Sequence, residues 1–264
     1  MMNLAYTIAF DPPDCSGHRA LAKMLVSSLL RTCFDGDIVV FRNTEAPLFM
    51  VERKGVHEVY IQTDDLHFDE RARDSWTWKY KVRDFIDPAP YETVIFLDVD
   101  SLALRNVDHL LEGDWDIGYQ PERERNIDLI QFNCFLTDEE LAKFGSKRRG
   151  VNSGTIAVRA SLYHEVMAEW EQIDTGPTQR ERCCSDQGSW NRLLLDTDLK
   201  TVPFERGEVA FPLYLHKNYK EYKDAALLHM LGGNIVEKVH FTFGMYMGTF
   251  YCDPTALFLH FLET

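Results

Sequence analysis

Asp98 and Asp100 are separated by one residue and follow directly on the apolar run Val94-Ile95-Phe96-Leu97. Carboxylates on alternate residues of an extended turn can both reach one hard cation and leave its other positions to phosphate oxygens and water. The pattern alone decides nothing, because Asp-x-Asp recurs at Asp35/Asp37, Asp114/Asp116 and Asp196/Asp198. Those three pairs sit in polar connections, where Asp serves turn geometry. Only Asp98 comes straight off a buried-type strand, and in open α/β sheets ligands bind at the carboxyl ends of strands. A solvated turn remains the competing reading of this pair.

A second segment has the same form. Leu227-Leu228-His229-Met230-Leu231-Gly232-Gly233 places a ligand-capable residue at the end of an apolar run and follows it with glycines. Histidine suits Mn²⁺ as a third ligand, and glycine lets backbone approach a diphosphate closely. A lone histidine is more often a satisfied core residue; beside a credible carboxylate pair it becomes a ligand candidate.

The elements that must position these residues follow from hydrophobic periodicity. Leu4 to Phe10 reads as a strand broken by Asp11-Pro12-Pro13, and Ser16 can cap a helix carrying Leu21, Met24, Leu25 and Leu29 on one face. Ile38 to Phe41 and Val59 to Ile61 read as further strands, so the chain opens β-α-β and favours a parallel sheet. Trp78, Val82, Phe85 and Ile86 form a helical stripe stopped by Asp87-Pro88, and Val94 to Leu97 reads as a central strand apolar on both faces. Further strands are expected at Ile117 to Tyr119, Thr155 to Val158 and Ala225 to Leu228, with helices from Thr137 to Phe144, Ser161 to Ile173 and Ser185 to Leu195. The polar stretch Glu122 to Gly150 looks like an excursion from the sheet that lines an acceptor site.

Composition narrows the partners. At 264 residues, with 45% hydrophobic and 27% charged residues, the chain is ordinary globular material, expected as one domain over 1–264 with halves 1–100 and 101–264. Lys plus Arg number 28 against 42 Asp plus Glu, a formal net charge of −14, which argues against nucleic acid as a partner. An anionic small molecule stays compatible if a metal or a few local cations reverse the sign. No apolar run is long enough to span a membrane, and the first residues, Met1 to Tyr6, lack a basic leader. The six scattered cysteines, with Cys183-Cys184 the only close pair, form no CxxC pattern and fit inert thiols in a reducing, cytoplasmic setting.

Taken in order from the Leu4 strand to the His229 turn, these segments resemble the GT-A glycosyltransferases, most closely the glycogenin-like family 8 of retaining transferases. Tyr91 to Ser101 looks like that family's DxD strand, Val151-Asn152-Ser153-Gly154-Thr155 resembles its N-S-G segment, and Ser185-Asp186-Gln187 with Asn191 resembles its D-Q helix start. The resemblance implies an α/β fold: a mostly parallel Rossmann-like central sheet with helices on both faces, plus a small irregular acceptor-side region. It implies a donor site for a nucleotide-diphosphate sugar, a UDP-sugar, with Mn²⁺ or Mg²⁺ on Asp98, Asp100 and His229. Phe10 and Asp11 then face the nucleobase and ribose. Lys79, Val99, Ser153, Gly154 and Gly232 border the donor, and Asn152, Asp186 and Gln187 hold the sugar at its reacting carbon. The family's histidine turn continues H-x-x-G-x-x-K-P-W, but Ile235-Val236-Glu237 stand in place of K-P-W here, and Lys238, nine residues after His229, is the substitute for the diphosphate lysine.

Simpler roles compete for several of these residues. Asn152-Ser153-Gly154 could be a turn before a strand, Ser185-Asp186 a helix cap, and Lys147-Arg148-Arg149 a solvated run or a steering patch for an anionic donor. Lys79 and Lys81 face different sides of their helix. The aromatic tail, from Phe241 through Tyr251, Phe258 and Phe261, reads as core or as the surface of a homodimer. The acceptor, whether saccharide, lipid-linked glycan or protein, is not specified by any motif. Two other functions fit parts of the pattern: a haloacid-dehalogenase-like phosphatase, whose nucleophile strand Phe96 to Ser101 also resembles, and a nucleotide-sugar-binding protein without turnover.

Overall fold

A computed structural model describes residues 2–11, 16–62, 73–180, 185–205, 207–211, 225–230 and 234–250. The fold is mixed α/β, with a large, mostly parallel sheet flanked by helices. The chain forms two compact units, each assembled from separated stretches.

The first unit takes residues 2–64, 97–112 and 205–264. Its strands β1 (Met2–Ala9), β2 (Gly36–Arg42) and β3 (Val56–Tyr60) run parallel in the order β3-β2-β1. Helix α1 (Gly17–Arg31) buries Leu21, Met24, Leu25 and Leu29, the face expected from their spacing. Ser16 occupies its N-cap position, but the Ser16 side chain makes no capping bond. Asp11 acts instead: its Oδ1 accepts the His18 N–H at 2.9 Å, satisfying a donor the helix cannot satisfy itself. A small second sheet, built from β5 (Ser101–Ala103), β9 (Val209–Ala210) and β10 (Leu227–His229), has the order β5-β10-β9. The last described helix (Ile235–Phe250) packs on α1, where the Arg31 Nε donates to the Tyr246 hydroxyl at 2.9 Å.

The second unit takes residues 65–96 and 113–204. Its strands run in the order β4-β7-β6-β8. They are β4 (Tyr91–Leu97, its last residue passing into the first unit), β6 (Ile117–Asn126), β7 (Arg149–Arg159) and β8 (Thr201–Pro203). Strand β6 pairs antiparallel with β7 and parallel with β8, and its register with β7 shifts after Tyr119, where Gln120 comes opposite Asn152. Asn152-Ser153-Gly154 therefore lies inside a strand at an irregularity, and the turn reading is corrected. The excursion from the sheet is shorter than Glu122 to Gly150, because β6 continues to Asn126. It holds α3 (Ile130–Asn133) and α4 (Asp138–Phe144), the latter started by a capping box between Thr137 and Glu140.

Helices α2 (Arg73–Lys81), α5 (Tyr163–Thr175) and α6 (Ser185–Asp196) pack together through aromatic side chains. The Tyr80 and Trp170 ring centroids are 5.4 Å apart, and those of Trp170 and Trp190 are 4.8 Å apart. After Lys81 the backbone tightens into a 3₁₀ turn, Val82–Phe85. That change of pitch breaks the expected stripe: Val82 and Ile86 are buried, while Phe85 is exposed. In chain order the last described helix, Ile235–Phe250, is α7.

Candidate functional site

The Asp98 cluster follows from strand register. The backbone turns between β4 and β5, with the Ser101 N–H donating to the Asp98 carbonyl at 2.9 Å. Strand β5 then pairs antiparallel with β10, and Ser101 comes opposite His229. The Met230 N–H donates to the Asp100 carbonyl at 3.0 Å, which locks the histidine beside the acidic turn. As a result His229 Nε2 lies 3.3 Å from Asp98 Oδ2 and 3.3 Å from Asp100 Oδ1, within ion-pair distance of both.

Asp98, Asp100 and His229 each bring a ligand atom within 4.8 Å of the others, the arrangement expected from sequence for a metal site. Both His229 nitrogens and Asp100 Oδ1 are buried with no hydrogen-bond partner among the described residues. Buried polar atoms are normally satisfied, so converging buried atoms without a hydrogen-bond partner call for another one. Two carboxylates and an imidazole fit a divalent cation with about 2.1 Å bonds, which places neighbouring ligand atoms about 3 Å apart. The residues fit the ion.

The same cluster is already charge-balanced. Lys238 Nζ lies 2.5 Å from Asp100 Oδ2. Burial by itself would raise the Asp100 carboxyl, but Lys238 and His229 outweigh it and hold the group well below the usual carboxylate range. Burial likewise pulls the His229 imidazole down, and Asp100 and Asp98 overcome that and raise it to about 9. Phe10 and Asp11, also in this unit, are both buried. Asn43 brackets Asp11, donating from Nδ2 to its carbonyl at 2.9 Å and accepting its N–H at 3.0 Å. The Asp11 carboxylate keeps one buried oxygen, Oδ2, without a partner among the described residues.

The second unit gathers a separate group of predicted residues. Asp186 sits in the first turn of α6, where a carboxylate favours the helix dipole, and is buried. Its Oδ2 is 2.8 Å from Lys79 Nζ and accepts the Ser153 hydroxyl at 2.6 Å. Lys79 Nζ also donates to the Ser153 carbonyl at 3.3 Å and lies 5.1 Å from the Phe96 ring centroid. Lys79 faces the interior and Lys81 is half-buried, so the two lysines do part as expected. Asn152 is buried, and its Oδ1 accepts the Gly154 N–H at 2.8 Å, which shapes the strand irregularity. Asn191 docks α6 on β7 by imitating a strand: its amide donates to the Val151 carbonyl at 2.8 Å and accepts the Val151 N–H at 2.9 Å. Gln187 is half-buried one position along α6, its carbonyl accepting the Asn191 amide at 2.7 Å.

No family model matches the chain, and no curated protein sequence matches it. Among solved structures, the apo structure of the bifunctional glycosyltransferase WbbM is similar with a TM-score of 0.63 at 14% sequence identity. That similarity covers 98% of this chain and 51% of WbbM, so the chain spans about half of that protein's length. A glycosyltransferase involved in glycosylation of the major capsid of PBCV-1 is similar with a TM-score of 0.55 at 11% identity, over 92% of this chain and 100% of that one. The fold is the GT-A, Rossmann-like one.

Within it, a polar network beneath Asp186 had no sequence signature. Asp174 is buried on α5, accepting the Tyr80 hydroxyl at 2.9 Å and the Ser189 hydroxyl at 2.5 Å. Ser189 Oγ also contacts the Asp186 carbonyl at 3.0 Å and accepts the Trp170 Nε1–H at 2.9 Å. The available signal was Asp174 four residues after Trp170 on a helix face that is otherwise buried.

The basic run is not a free patch. Arg148 donates to the Leu194 carbonyl at 2.9 Å and Arg149 to Asn126 Oδ1 at 3.0 Å, while Lys147 is exposed. Gly232, the tail residues Tyr251, Phe258 and Phe261, and the cysteines Cys15, Cys183, Cys184 and Cys252 lie outside the described residues. Cys33 is exposed and Cys134 is buried. No helix among the described residues is long and apolar enough to cross a membrane.

Proposed function

We propose that the chain is a glycosyltransferase of the retaining, glycogenin-like type, moving a sugar from a UDP-sugar to an acceptor hydroxyl. The observation that carries this reading is the convergence of Asp98, Asp100 and His229 at a strand end in a GT-A fold, with Asp100 Oδ1 and both His229 nitrogens buried and without a hydrogen-bond partner among the described residues. A divalent cation such as Mn²⁺ or Mg²⁺ held there would supply electrostatic stabilisation of the charge developing on the leaving nucleoside diphosphate. Asp98 and Asp100 hold that ion and cancel its charge, His229 completes the ligand set, and Lys238 supplies a cation for the diphosphate. Phe10 and the bracketed Asp11 receive the nucleobase and ribose, while Val99 and Gly232 border the donor.

In the second unit, Asp186, Gln187 and Asn152 orient the sugar, with Ser153 and Gly154 forming the adjoining backbone. Orientation of this kind supplies a large part of a transfer barrier. Lys79 and Ser153 hold the Asp186 carboxylate in one position. Retention has the acceptor hydroxyl attack on the face from which the nucleotide leaves.

The test is product formation and donor hydrolysis with a panel of nucleotide-diphosphate sugars and added Mn²⁺, using wild type, Asp100→Asn and His229→Ala. Both variants should lose about 100-fold or more in turnover, the usual scale for removing one preorganised electrostatic group. Undiminished activity in both would remove the metal assignment.

A further inference from the structure

The cluster proposed to bind metal contains a cation that the chain itself provides. Helix α7 starts with a reciprocal cap: Asn234 Oδ1 accepts the Glu237 N–H at 3.0 Å, and Glu237 Oε2 accepts the Asn234 N–H at 3.0 Å. This cap fixes the first turn, which the Lys238 N–H closes onto the Asn234 carbonyl at 3.0 Å. A lysine so near a helix N-terminus lies against the positive end of the dipole, so something must offset that placement. Asp100 offsets it, with Lys238 Nζ 2.5 Å from Oδ2. The other oxygen of the same carboxylate faces His229 Nε2 at 3.3 Å. Asp100 is thus divided between the ligand set and an ammonium.

We propose that Lys238 is a tethered competitor of the divalent cation, holding Asp100 and restraining metal binding until a diphosphate offers the ammonium a second anion. The proposal rests on the metal-dependent transfer reading given above. A carboxylate bonded to an ammonium is a weaker ligand than a free one, and an ammonium beside the site repels an entering cation. The Lys238 side chain is 21% exposed, against 10% for Asp100, so the ammonium can leave the carboxylate without crossing a sealed interior. Metal and donor are then coupled: a diphosphate that draws Lys238 away frees Asp100 for the ion.

The experiment titrates Mn²⁺ into nucleotide-free protein and reads free Mn²⁺ by electron paramagnetic resonance, for wild type, Lys238→Met, Lys238→Gln and the ligand control Asp98→Asn. Thermal melts establish that each variant is folded, and Lys238→Gln, which keeps the position polar, serves if Lys238→Met does not fold. Removing a charge-assisted hydrogen bond on the ligand should tighten Mn²⁺ binding about tenfold in both lysine variants, and Asp98→Asn should weaken it. Unchanged or weaker Mn²⁺ binding in folded lysine variants overturns the proposal and leaves the metal site standing. If neither wild type nor the variants bind Mn²⁺, competitor and metal site fall together. The transfer reading is judged separately, by UDP-sugar turnover in EDTA.

Discussion

Replacing Lys79 by Met removes the ammonium from the second unit's buried ion pair while nearly preserving side-chain length. Lys79 and Asp186 side chains are each only 8% exposed and 2.8 Å apart. Removing one partner of a buried pair typically costs about 3–5 kcal/mol, because the other charge stays behind without compensation. Two groups lessen the loss here. The Ser153 hydroxyl still donates to Asp186 at 2.6 Å, and the first turn of α6 still favours a carboxylate. The lower end of the range, about 3 kcal/mol, is therefore expected, or about 6–12 °C in Tm for a chain of this size. All five tryptophans, Trp76, Trp78, Trp115, Trp170 and Trp190, belong to this unit, so their fluorescence during urea unfolding reports on it. The double variant Lys79→Met/Asp186→Asn should recover at least about 1 kcal/mol relative to the sum of the singles, as residues in direct contact do. A Lys79→Met protein within about 0.5 kcal/mol of wild type, or a strictly additive double variant, would refute the argument that this pair is a buried and coupled unit.

Three further outcomes follow from the structure. A Cβ added at Gly188 would lie 2.3 Å from Cys134 Sγ, so Gly188→Ala should cost about 1–3 kcal/mol by overpacking, and Gly188→Ala/Cys134→Ala should recover much of it in the same fluorescence assay. The His229 imidazole is raised to about 9, above its ordinary value, so its contribution to stability is fully present below about pH 6.5 and lost as pH rises through about 9. The Tm of metal-free protein should fall across that window and the fall should flatten in His229→Gln, while Mn²⁺, which requires the neutral imidazole, should stabilise more at the alkaline end. Thr137→Ala should destabilise by about 1 kcal/mol through loss of the α4 capping box, seen as a lower urea midpoint, with no effect on Mn²⁺ binding.

Much of the fold was legible because long-range order here follows local pattern. The faces of α1 and α5 and the buried run of β4 are each written as a period of apolar residues. The meeting of Asp98, Asp100 and His229 was legible for a different reason: Asp98 and His229 each end an apolar run, and strand ends are where a sheet presents ligands. What stayed hidden depends on pairing between distant residues. Ser16 looks like a cap, but Asp11 lies seven residues from His18 and reaches its N–H first. Asn152-Ser153-Gly154 has turn composition, and its place in the sheet between β4 and β6 makes it a strand. Asp174 carries no motif, since its partners Tyr80 and Ser189 come from two other helices.

The same pairing has opposite consequences in the two units. Asp186 and Asp100 are each held by a lysine, and in a chain with 42 acidic residues such internal counterions are what let a buried carboxylate stay charged. Their settings differ. The Lys79 side chain is 8% exposed, and its ammonium also bonds the Ser153 carbonyl and lies over Phe96, so it has no ready path to another anion. The Lys238 side chain is 21% exposed on the first turn of a helix, where departure of its ammonium from Asp100 returns it to solvent or to an arriving phosphate. The first pair therefore works as a fixed strut and the second as a releasable one. Stability and ligand binding should separate accordingly: Lys79→Met lowers the Tm of the protein, whereas Lys238→Met changes the Tm little and tightens Mn²⁺. Equal loss of stability in both variants would show that exposure does not distinguish the two lysines.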